Sequence, residues 1–357
     1  MTVDPDPTAA ARSRYGWPRS TGYSELYERL AEIILAEPAI VSILDVAAPT
    51  QRHPGLLLSA LHDRVLAHPE EPLARWYPSV TGRPAPATDP TPALRAFFAA
   101  HQREIRELVA TRSTQTNDPL RCAPLVFAFA AVAEEVRRPL GVVELGASAG
   151  LLLLLDRYRY EFPGLGSVGD PRSPVRLVSE LRGPARPPLP ARLPAIASRV
   201  GIDLSPVDCR DETATRWLVA CILADRLDRL ERFRGALALA RRDPPRLVRG
   251  DFTVRLAEIA AGVPEDEQLC LLDSYSLVYL TPSQREGLAA TIAELGLRRD
   301  LDWISSERAG TIPGLAEPAP PEDPHATFVT WSAFRRGERH DRVLARSHTH
   351  GAWIEWL

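Results

Sequence analysis

The chain has 357 residues, which suggests two domains, and its 45% hydrophobic and 25% charged residues are typical of globular proteins rather than membrane or disordered ones. All 43 basic residues are arginine, which excludes enzymes that need a lysine amine: Schiff-base aldolases, pyridoxal-phosphate enzymes, Walker-type NTPases and protein kinases. The net charge of -3 predicts no nucleic-acid or membrane partner, and no signal peptide or transmembrane run is recognisable, so we expect a cytoplasmic protein.

The first third of the chain has helical patterns only. Residues 1–20 are polar and broken by prolines, which predicts a flexible tail. From Ser24 to Leu35 apolar residues recur at helical spacing, and Ser24 is a candidate N-cap. Further helices are predicted at Pro54–Ala67, Pro92–Thr111 and Pro119–Arg137. We therefore expect residues 21–138 to form an all-helical N-terminal domain.

From residue 139 short β-branched or leucine-rich runs alternate with helical stretches, which predicts an α/β domain over residues 139–357. The predicted strands are Gly141–Leu145, Val200–Leu204, Arg246–Arg249, Gln268–Leu272 and Leu301–Ser305. The predicted helices are Leu151–Phe162, Glu212–Arg241, Thr253–Ala261 and Pro282–Leu295. Hairpins are predicted at Gly164–Arg182 and at the end of the chain, where Ala326–Phe334 and Arg342–Trp356 flank a polar turn. The expected fold is a Rossmann-like class I methyltransferase sheet, mostly parallel and ending in an antiparallel hairpin.

The segment VVELGASAG, Val142–Gly150, is the most informative. It matches the E-x-G-x-x-x-G form of an S-adenosylmethionine loop, in which the two glycines let the backbone pass close to the cofactor. The following helix N-terminus would face the cofactor carboxylate, and the acid would receive its ammonium. The predicted cofactor-binding residues of this turn are Glu144, Gly146, Ala147, Ser148 and Gly150.

The same turn also spells G-x-S-x-G, the nucleophile elbow of α/β-hydrolases. That interpretation predicts Ser148 as nucleophile, Asp273 as the acid, and His348 or His350 as the base. It requires strands and an oxyanion loop before the elbow, where only helical patterns occur. A strand-to-helix turn without a ligand is a third interpretation. A dinucleotide site is disfavoured because G-x-G-x-x-G is absent.

Acidic residues follow the later strands. Asp203 ends the second core strand, where a carboxylate can accept both ribose hydroxyls, and Glu180 is a rival for that role. Asp251 and Phe252 end the third, where an acid can take the adenine amino group and an aromatic ring can stack on it. Each aspartate is equally consistent with a turn or an N-cap.

Polar residues that end the fourth and fifth strands are the candidate catalytic groups. Asp273, Tyr275 and Glu307 are predicted to contact the methyl acceptor or to remove its proton. His348 and His350 share one strand face, but two ligands on an exposed hairpin seldom hold a metal, so no metal is assigned.

Four segments carry a family resemblance: TQTNDPLRC (Thr114–Cys122), VVELGASAGLLLLLDRYRY (Val142–Tyr160), RVGIDLSPVD (Arg199–Asp208) and TRWLVA (Thr215–Ala220). They resemble the bacterial domain-of-unknown-function family 2332. The resemblance implies a class I S-adenosylmethionine-dependent methyltransferase fold with a helical N-terminal region, but no established reaction.

The resemblance also singles out Gln115 and Asn117, just before the helix that feeds the first strand, as residues that border the cofactor; a polar cap for that helix is the alternative. Two departures are Leu152, where the family pattern often has asparagine, and Leu223-Ala224, which replace a Trp-Pro pair. We therefore expect S-adenosylmethionine as cofactor and a small-molecule acceptor. A non-catalytic binding protein of the same fold and a serine esterase are the alternatives, and the sequence predicts no oligomeric state.

Overall fold

The computed structural model describes residues 7–17, 24–115, 117–318, 323 and 326–357. The chain divides into two compact units: Met1–Thr116 with Arg210–Arg234, and Asn117–Cys209 with Gly235–Leu357. Residues 117–138, which the sequence analysis placed in the N-terminal domain, belong to the second unit.

The helices and strands define a mixed α/β protein. The helices are α1 (Pro7–Arg14), α2 (Glu25–Leu35), α3 (Pro38–Val41), α4 (Pro54–Ala67), α5 (Pro78–Thr81), α6 (Thr91–Thr111), α7 (Cys122–Val136), α8 (Glu212–Ala220), α9 (Leu227–Arg242), α10 (Phe252–Ala261) and α11 (Pro282–Arg298). The strands are β1 (Leu140–Leu145), β2 (Arg159–Phe162), β3 (Gly166–Val168), β4 (Arg176–Val178), β5 (Glu180–Arg182), β6 (Ile196–Asp203), β7 (Arg246–Arg249), β8 (Gln268–Ser274), β9 (Leu301–Glu307), β10 (Ala326–Arg335), β11 (Glu338–His348) and β12 (Trp353–Trp356). Short 3-10 helices cover Ser42–Val46, Pro49–Gln51, Pro72–Trp76, Pro119–Arg121, Leu152–Arg157 and Leu277–Tyr279.

The second unit is built on a large, mostly parallel sheet with the order β5-β12-β11-β10-β9-β8-β1-β6-β7. The strands from β7 to β9 are parallel, whereas β10 pairs antiparallel with both β9 and β11. Both β1 and β8 are buried along their whole length, which explains their continuous apolar runs. Chain order reverses at β1, and in open α/β sheets such a switch point is where ligands bind, beyond the carboxyl ends of the strands.

The predicted terminal hairpin is confirmed, with a tighter turn than expected. The strands β10 and β11 continue to Arg335 and Glu338, so that only Arg336 and Gly337 form the turn. Both have positive φ, 53° and 85°, as a two-residue type I′ turn requires. The predicted run from Arg342 to Trp356 is interrupted between β11 and β12, because the chain turns at Gly351 with a φ of 74°.

The predicted helix over residues 151–162 is wrong. The chain instead forms the 3-10 helix over residues 152–157, followed by β2. The carbonyl oxygen of Leu151 accepts the amide of Leu154 at 3.2 Å, as in a 3-10 helix, and the hydroxyl of Tyr158 at 2.6 Å.

Two other helical predictions differ from the structure. The predicted helix 212–241 is divided into α8 and α9, and between them Asp225 accepts a hydrogen bond from the Ser24 hydroxyl at 2.6 Å. Within the predicted tail, residues 7–14 form α1, whose three successive alanines favour a helix. The tail residues 1–6 and 18–20 lie outside the described part of the chain.

In the first unit, the regular secondary structure of the described residues consists of helices. Ser24 caps α2 and accepts a hydrogen bond from the amide of Tyr27 at 3.1 Å, which confirms the predicted N-cap. The core of the first unit is apolar and includes Leu30, Ile34 and Leu61. Over the parts of the chain that the structure describes, no helix has the length and apolar character needed to cross a bilayer.

Candidate functional site

Four acidic side chains end neighbouring parallel strands of the second unit. They are Glu144 on β1, Asp203 on β6, Asp273 on β8 and Glu307 on β9. Because these strands are parallel, all four acids lie at the same edge of the sheet. The sequence predicted each of these positions, and the structure brings them together around the switch point at β1.

Glu144 is the most unusual of these groups. Its side chain is 1% exposed, and none of the described residues forms a hydrogen bond with its Oε2. Burial raises the pKa of Glu144 well above its ordinary value; the charge of Asp203 raises it further and that of Arg121 lowers it. A buried carboxyl oxygen without a donor is costly, so this position favours a ligand that supplies one.

The turn after β1 uses its backbone amides within the protein. The amides of Gly146 and Ala147 donate to the carbonyl oxygen of Ile202 at 2.8 and 3.2 Å, and that of Ser148 donates to Asp203 Oδ2 at 2.8 Å. A short 3-10 helix follows the turn instead of an α-helix. The predicted helix N-terminus facing a cofactor carboxylate is therefore absent from this described segment.

The two glycines of the turn are required by the packing of the protein around them. A Cβ on Gly146, whose φ is 83°, would lie 2.7 Å from the Cβ of Ser276. A Cβ on Gly150, whose φ is 68°, would lie 2.6 Å from the Cγ of Pro245. Both glycines thus allow close packing of the protein on itself, and Gly150 packs towards β7.

Asp203 holds the turn. Its Oδ2 accepts the amide of Ser148, and its Oδ1 accepts the amide of Ser205 at 2.7 Å. Each oxygen keeps one lone pair for a further donor such as a ribose hydroxyl. Its rival Glu180 lies on β5, the outermost strand at the opposite end of the sheet, so it cannot serve the same ligand.

Asp251 and Phe252 have mainly structural contacts. Asp251 is the N-cap of α10, where its Oδ1 accepts the amide and the hydroxyl of Thr253 at 2.8 and 2.7 Å. This is the capping alternative that the sequence left open. Phe252 is 9% exposed and belongs to the core of the sheet, and its ring reaches within 4.0 Å of the Cβ position at Gly146. The ring therefore supports the glycine turn from within the protein.

Asn117 is part of the site, whereas Gln115 belongs to the first unit. The Asn117 side chain is buried and donates from Nδ2 to the carbonyl oxygen of Ala147 at 2.9 Å. Among the described residues, its Oδ1 has no hydrogen-bond partner. Asn117 and Glu144 thus each present a buried acceptor atom beside the same turn.

Asp273 and Glu307 are both buried. Asp273 accepts hydrogen bonds from Ser305 Oγ at 2.6 Å and from Trp303 Nε1 at 2.5 Å. Burial raises the pKa of Asp273 to about 6, and burial together with the neighbouring Asp273 charge raises that of Glu307 to about 8. Glu307 Oε2 is buried and has no hydrogen-bond partner among the described residues. Such a pair can store or release a proton near neutral pH.

Glu307 also fixes the loop after β8. Its Oε1 accepts the amides of Ser276 and Leu277 at 2.6 and 2.8 Å. In this loop Tyr275 has a φ of 58°, and its ring lies 5.5 Å from the Arg121 guanidinium and 5.2 Å from that of Arg308. Left-handed conformations of residues other than glycine are strained and cluster at functional sites.

The geometry of the hydrolase interpretation can be checked directly. Asp273 is bonded to Trp303 and Ser305 rather than to an imidazole. His348 ends β11, which is four strand spacings from β1, or about 19 Å at 4.8 Å per spacing. The acid of that interpretation is therefore engaged by Trp303 and Ser305.

The sequence analysis missed Arg121, Ser276 and Arg308. Arg121 is 5% exposed and donates from Nη1 to the carbonyl oxygen of Ser274 at 3.1 Å. Its positive charge lowers the pKa of Glu144. The sequence did contain a signal for Arg121, because a charged residue directly before the apolar helix α7 is unusual. Ser276 and Arg308 lie next to predicted residues, but only the folded loop shows that they join the site.

Comparison with known proteins gives a family and no further match. The family model described as "Uncharacterized protein conserved in bacteria (DUF2332)" matches residues 13–356. No curated protein and no solved structure matches the chain.

Proposed function

The chain belongs to the DUF2332 family of uncharacterised proteins conserved in bacteria, and from its site we propose an S-adenosylmethionine-dependent methyltransferase that acts on a small molecule. The observation that carries this proposal is the buried Oε2 of Glu144, which has no partner among the described residues and lies at the switch point of the sheet. The strand order β7-β6-β1-β8-β9 supports a Rossmann-like assignment, because doubly wound sheets bind ligands at this position.

The residues present fit the amino-acid end of S-adenosylmethionine. Glu144 would hold the ammonium group, which supplies the donor that its Oε2 lacks. Arg121 is a buried cation close enough to lower the pKa of Glu144, and it would face the carboxylate. An acid and a guanidinium at one site match the two charges of an α-amino acid group.

The nucleoside end has fewer groups available. Asp203 offers the remaining lone pairs of its carboxylate to the ribose, while Asp251 is engaged as an N-cap. The assignment of S-adenosylmethionine therefore depends mainly on the groups that would bind its amino-acid end.

The bound cofactor supplies an electrophilic methyl group, and the protein's residues position the acceptor and take its proton. Tyr275 and Arg308 lie together after β8 and β9, where they would contact the acceptor. The Asp273–Glu307 pair is the candidate proton acceptor, since the pKa of Glu307 is raised to about 8 by burial and by Asp273.

Calorimetry with S-adenosylmethionine and its demethylated product tests the proposal. We expect binding of both compounds, with release of a proton from Glu144 when the ammonium arrives, because burial raises the pKa of this carboxyl in the free protein. Titrations in two buffers of different ionisation enthalpy measure that proton. In Glu144→Gln the proton release disappears and affinity falls at least about tenfold. The matched control Glu294→Gln changes an exposed residue of α11 and leaves both unchanged.

Absence of heat with either compound, at concentrations up to the millimolar range, overturns the proposal. Binding without formation of the demethylated product, across a panel of hydroxyl, amine and thiol acceptors, favours the non-catalytic alternative. Glu144→Gln is preferable to a bulky substitution at Gly146, which would collide with Ser276 and disturb the fold.

A further inference from the structure

A second group of chemically capable side chains lies in the first unit. His68 is the C-cap of α4, Glu71 precedes the 3-10 helix at Pro72, and His101 lies on α6. Each offers one ligand atom, and the three atoms all lie within 4.8 Å of one another. Two imidazoles and a carboxylate are a donor set that suits zinc and related divalent cations.

The distances require little adjustment to hold an ion. His101 Nε2 and Glu71 Oε1 are 2.6 Å apart, and the rings of His68 and His101 have centroids 4.4 Å apart. In a tetrahedral zinc site with bonds of about 2.0–2.1 Å, neighbouring ligand atoms lie about 3.3 Å apart. His68 and Glu71 are partly exposed, so their side chains have room to move from the observed separations to the separation of about 3.3 Å that a zinc site needs.

His101 is already oriented as a ligand would be. Its Nδ1 lies 3.3 Å from Glu104 Oε2, which leaves Nε2 directed at Glu71. Glu104 is itself held by Arg64 Nη1 at 3.3 Å, and the ring of Phe97 packs 4.5 Å from that of His101. A carboxylate behind an imidazole fixes the tautomer and ring orientation in metal sites.

The group adjoins a cavity of about 470 Å³. Glu71 and Phe97 contribute to its wall, together with Arg75, Trp76 and Asp89. Zinc sites with three protein ligands keep a fourth position for water or substrate. A cation held by this group would have that position beside the cavity.

We propose that His68, Glu71 and His101 form a binding site for one divalent cation of the zinc class, whose fourth position is available to a small ligand in the adjoining cavity. This site is independent of the methyltransferase proposal, because all of its residues belong to the first unit. The sequence analysis assigned no metal and considered only His348 and His350 as ligands, so it did not find this group.

Titration of the metal-stripped, full-length protein with Co²⁺ tests the site. We expect visible absorption bands that saturate at one equivalent with micromolar or tighter affinity, and that one equivalent of Zn²⁺ removes. His101→Ala and Glu71→Gln should each weaken Co²⁺ binding at least about tenfold. The control His340→Ala removes an exposed histidine of β11, and this variant should bind Co²⁺ with the same affinity as the unaltered protein.

Circular dichroism establishes that each variant is folded, and Glu71→Gln preserves the shape of the side chain should His101→Ala fail to fold. The proposal is overturned by an absence of one-to-one binding in the unaltered protein at micromolar Co²⁺. It is equally overturned if folded Glu71→Gln binds with unchanged affinity, since the three residues would then form only a hydrogen-bonded cluster.

Discussion

The amide of Ser148 donates to Asp203 Oδ2 at 2.8 Å, so the acid that ends β6 fixes the turn that follows β1. The same carboxylate accepts the amide of Ser205 at 2.7 Å. One side chain therefore determines the shape of the backbone beside Glu144, whether or not it also touches a ligand.

Asp203→Ala should destabilise the protein and weaken ligand binding together. The partly buried amide of Ser148 and the exposed amide of Ser205 lose their acceptor, and the Ser148 amide is the costly one, at about 1–3 kcal/mol in the free energy of unfolding. Denaturant titration measures the loss, and calorimetry measures the affinity for S-adenosylmethionine. The control Asp266→Ala alters an exposed aspartate and should lie within about 0.5 kcal/mol of the unaltered protein. An unaffected stability would show that other contacts hold the turn.

Gly146→Ala should be strongly destabilising, by about 2–4 kcal/mol, because it combines a φ of 83° with a contact of 2.7 Å to the Ser276 Cβ. Adding Ser276→Gly removes the collision but leaves the backbone strain, so the double variant should recover part of the loss. Unfolding free energies of the four proteins of this cycle measure both contributions.

Gly287→Ala is the matched control for that cycle. Gly287 lies on α11 and has open space around its Cβ position, so the substitution should be neutral or stabilise the protein by up to about 1 kcal/mol. Equal effects at Gly146 and Gly287 would contradict the packing that the structure shows.

Glu307→Gln should change how stability depends on pH. The pKa of Glu307 is raised to about 8 in the folded protein, from 4.5, so its stabilising contribution is complete below pH 4.5 and is lost as the pH rises through 8. Glutamine stays neutral, can accept the amides of Ser276 and Leu277, and can donate to Asp273. Between pH 5 and pH 9 the unaltered protein should lose roughly 2–4 kcal/mol relative to this variant.

The exposed Glu294→Gln should follow the unaltered protein over the same pH range. Denaturant titrations at several pH values measure the difference. Parallel curves for Glu307→Gln and the unaltered protein would mean that Glu307 is ionised in the fold at neutral pH.

Ser148 should not react with a fluorophosphonate probe. Asp273 accepts hydrogen bonds from Trp303 and Ser305, so it is not placed to orient an imidazole beside Ser148 as the hydrolase interpretation requires. Mass spectrometry of the treated protein, alongside a serine hydrolase that the probe labels, provides the measurement. A covalent adduct on Ser148 would restore the esterase alternative.

The sequence by itself determined the alternation of strands and helices after residue 139 and the acids that end the strands. Continuous apolar runs such as β1 and β8 are visible because a strand buried on both faces has no polar positions. The N-cap at Ser24 was equally local, since it depends on residues within a few positions.

Only the tertiary structure decided what each polar group does. Asp203 and Asp251 look alike in sequence, yet one accepts an amide from the turn after another strand and the other caps its own helix. The segment expected to be an α-helix after Gly150 forms a 3-10 helix, in which the Leu151 carbonyl oxygen accepts a hydrogen bond from the Tyr158 hydroxyl. Whether Glu144 Oε2 has a hydrogen-bond partner depends on residues distant in sequence, and so does the contact between His101 and Glu71. A local sequence pattern cannot predict either one.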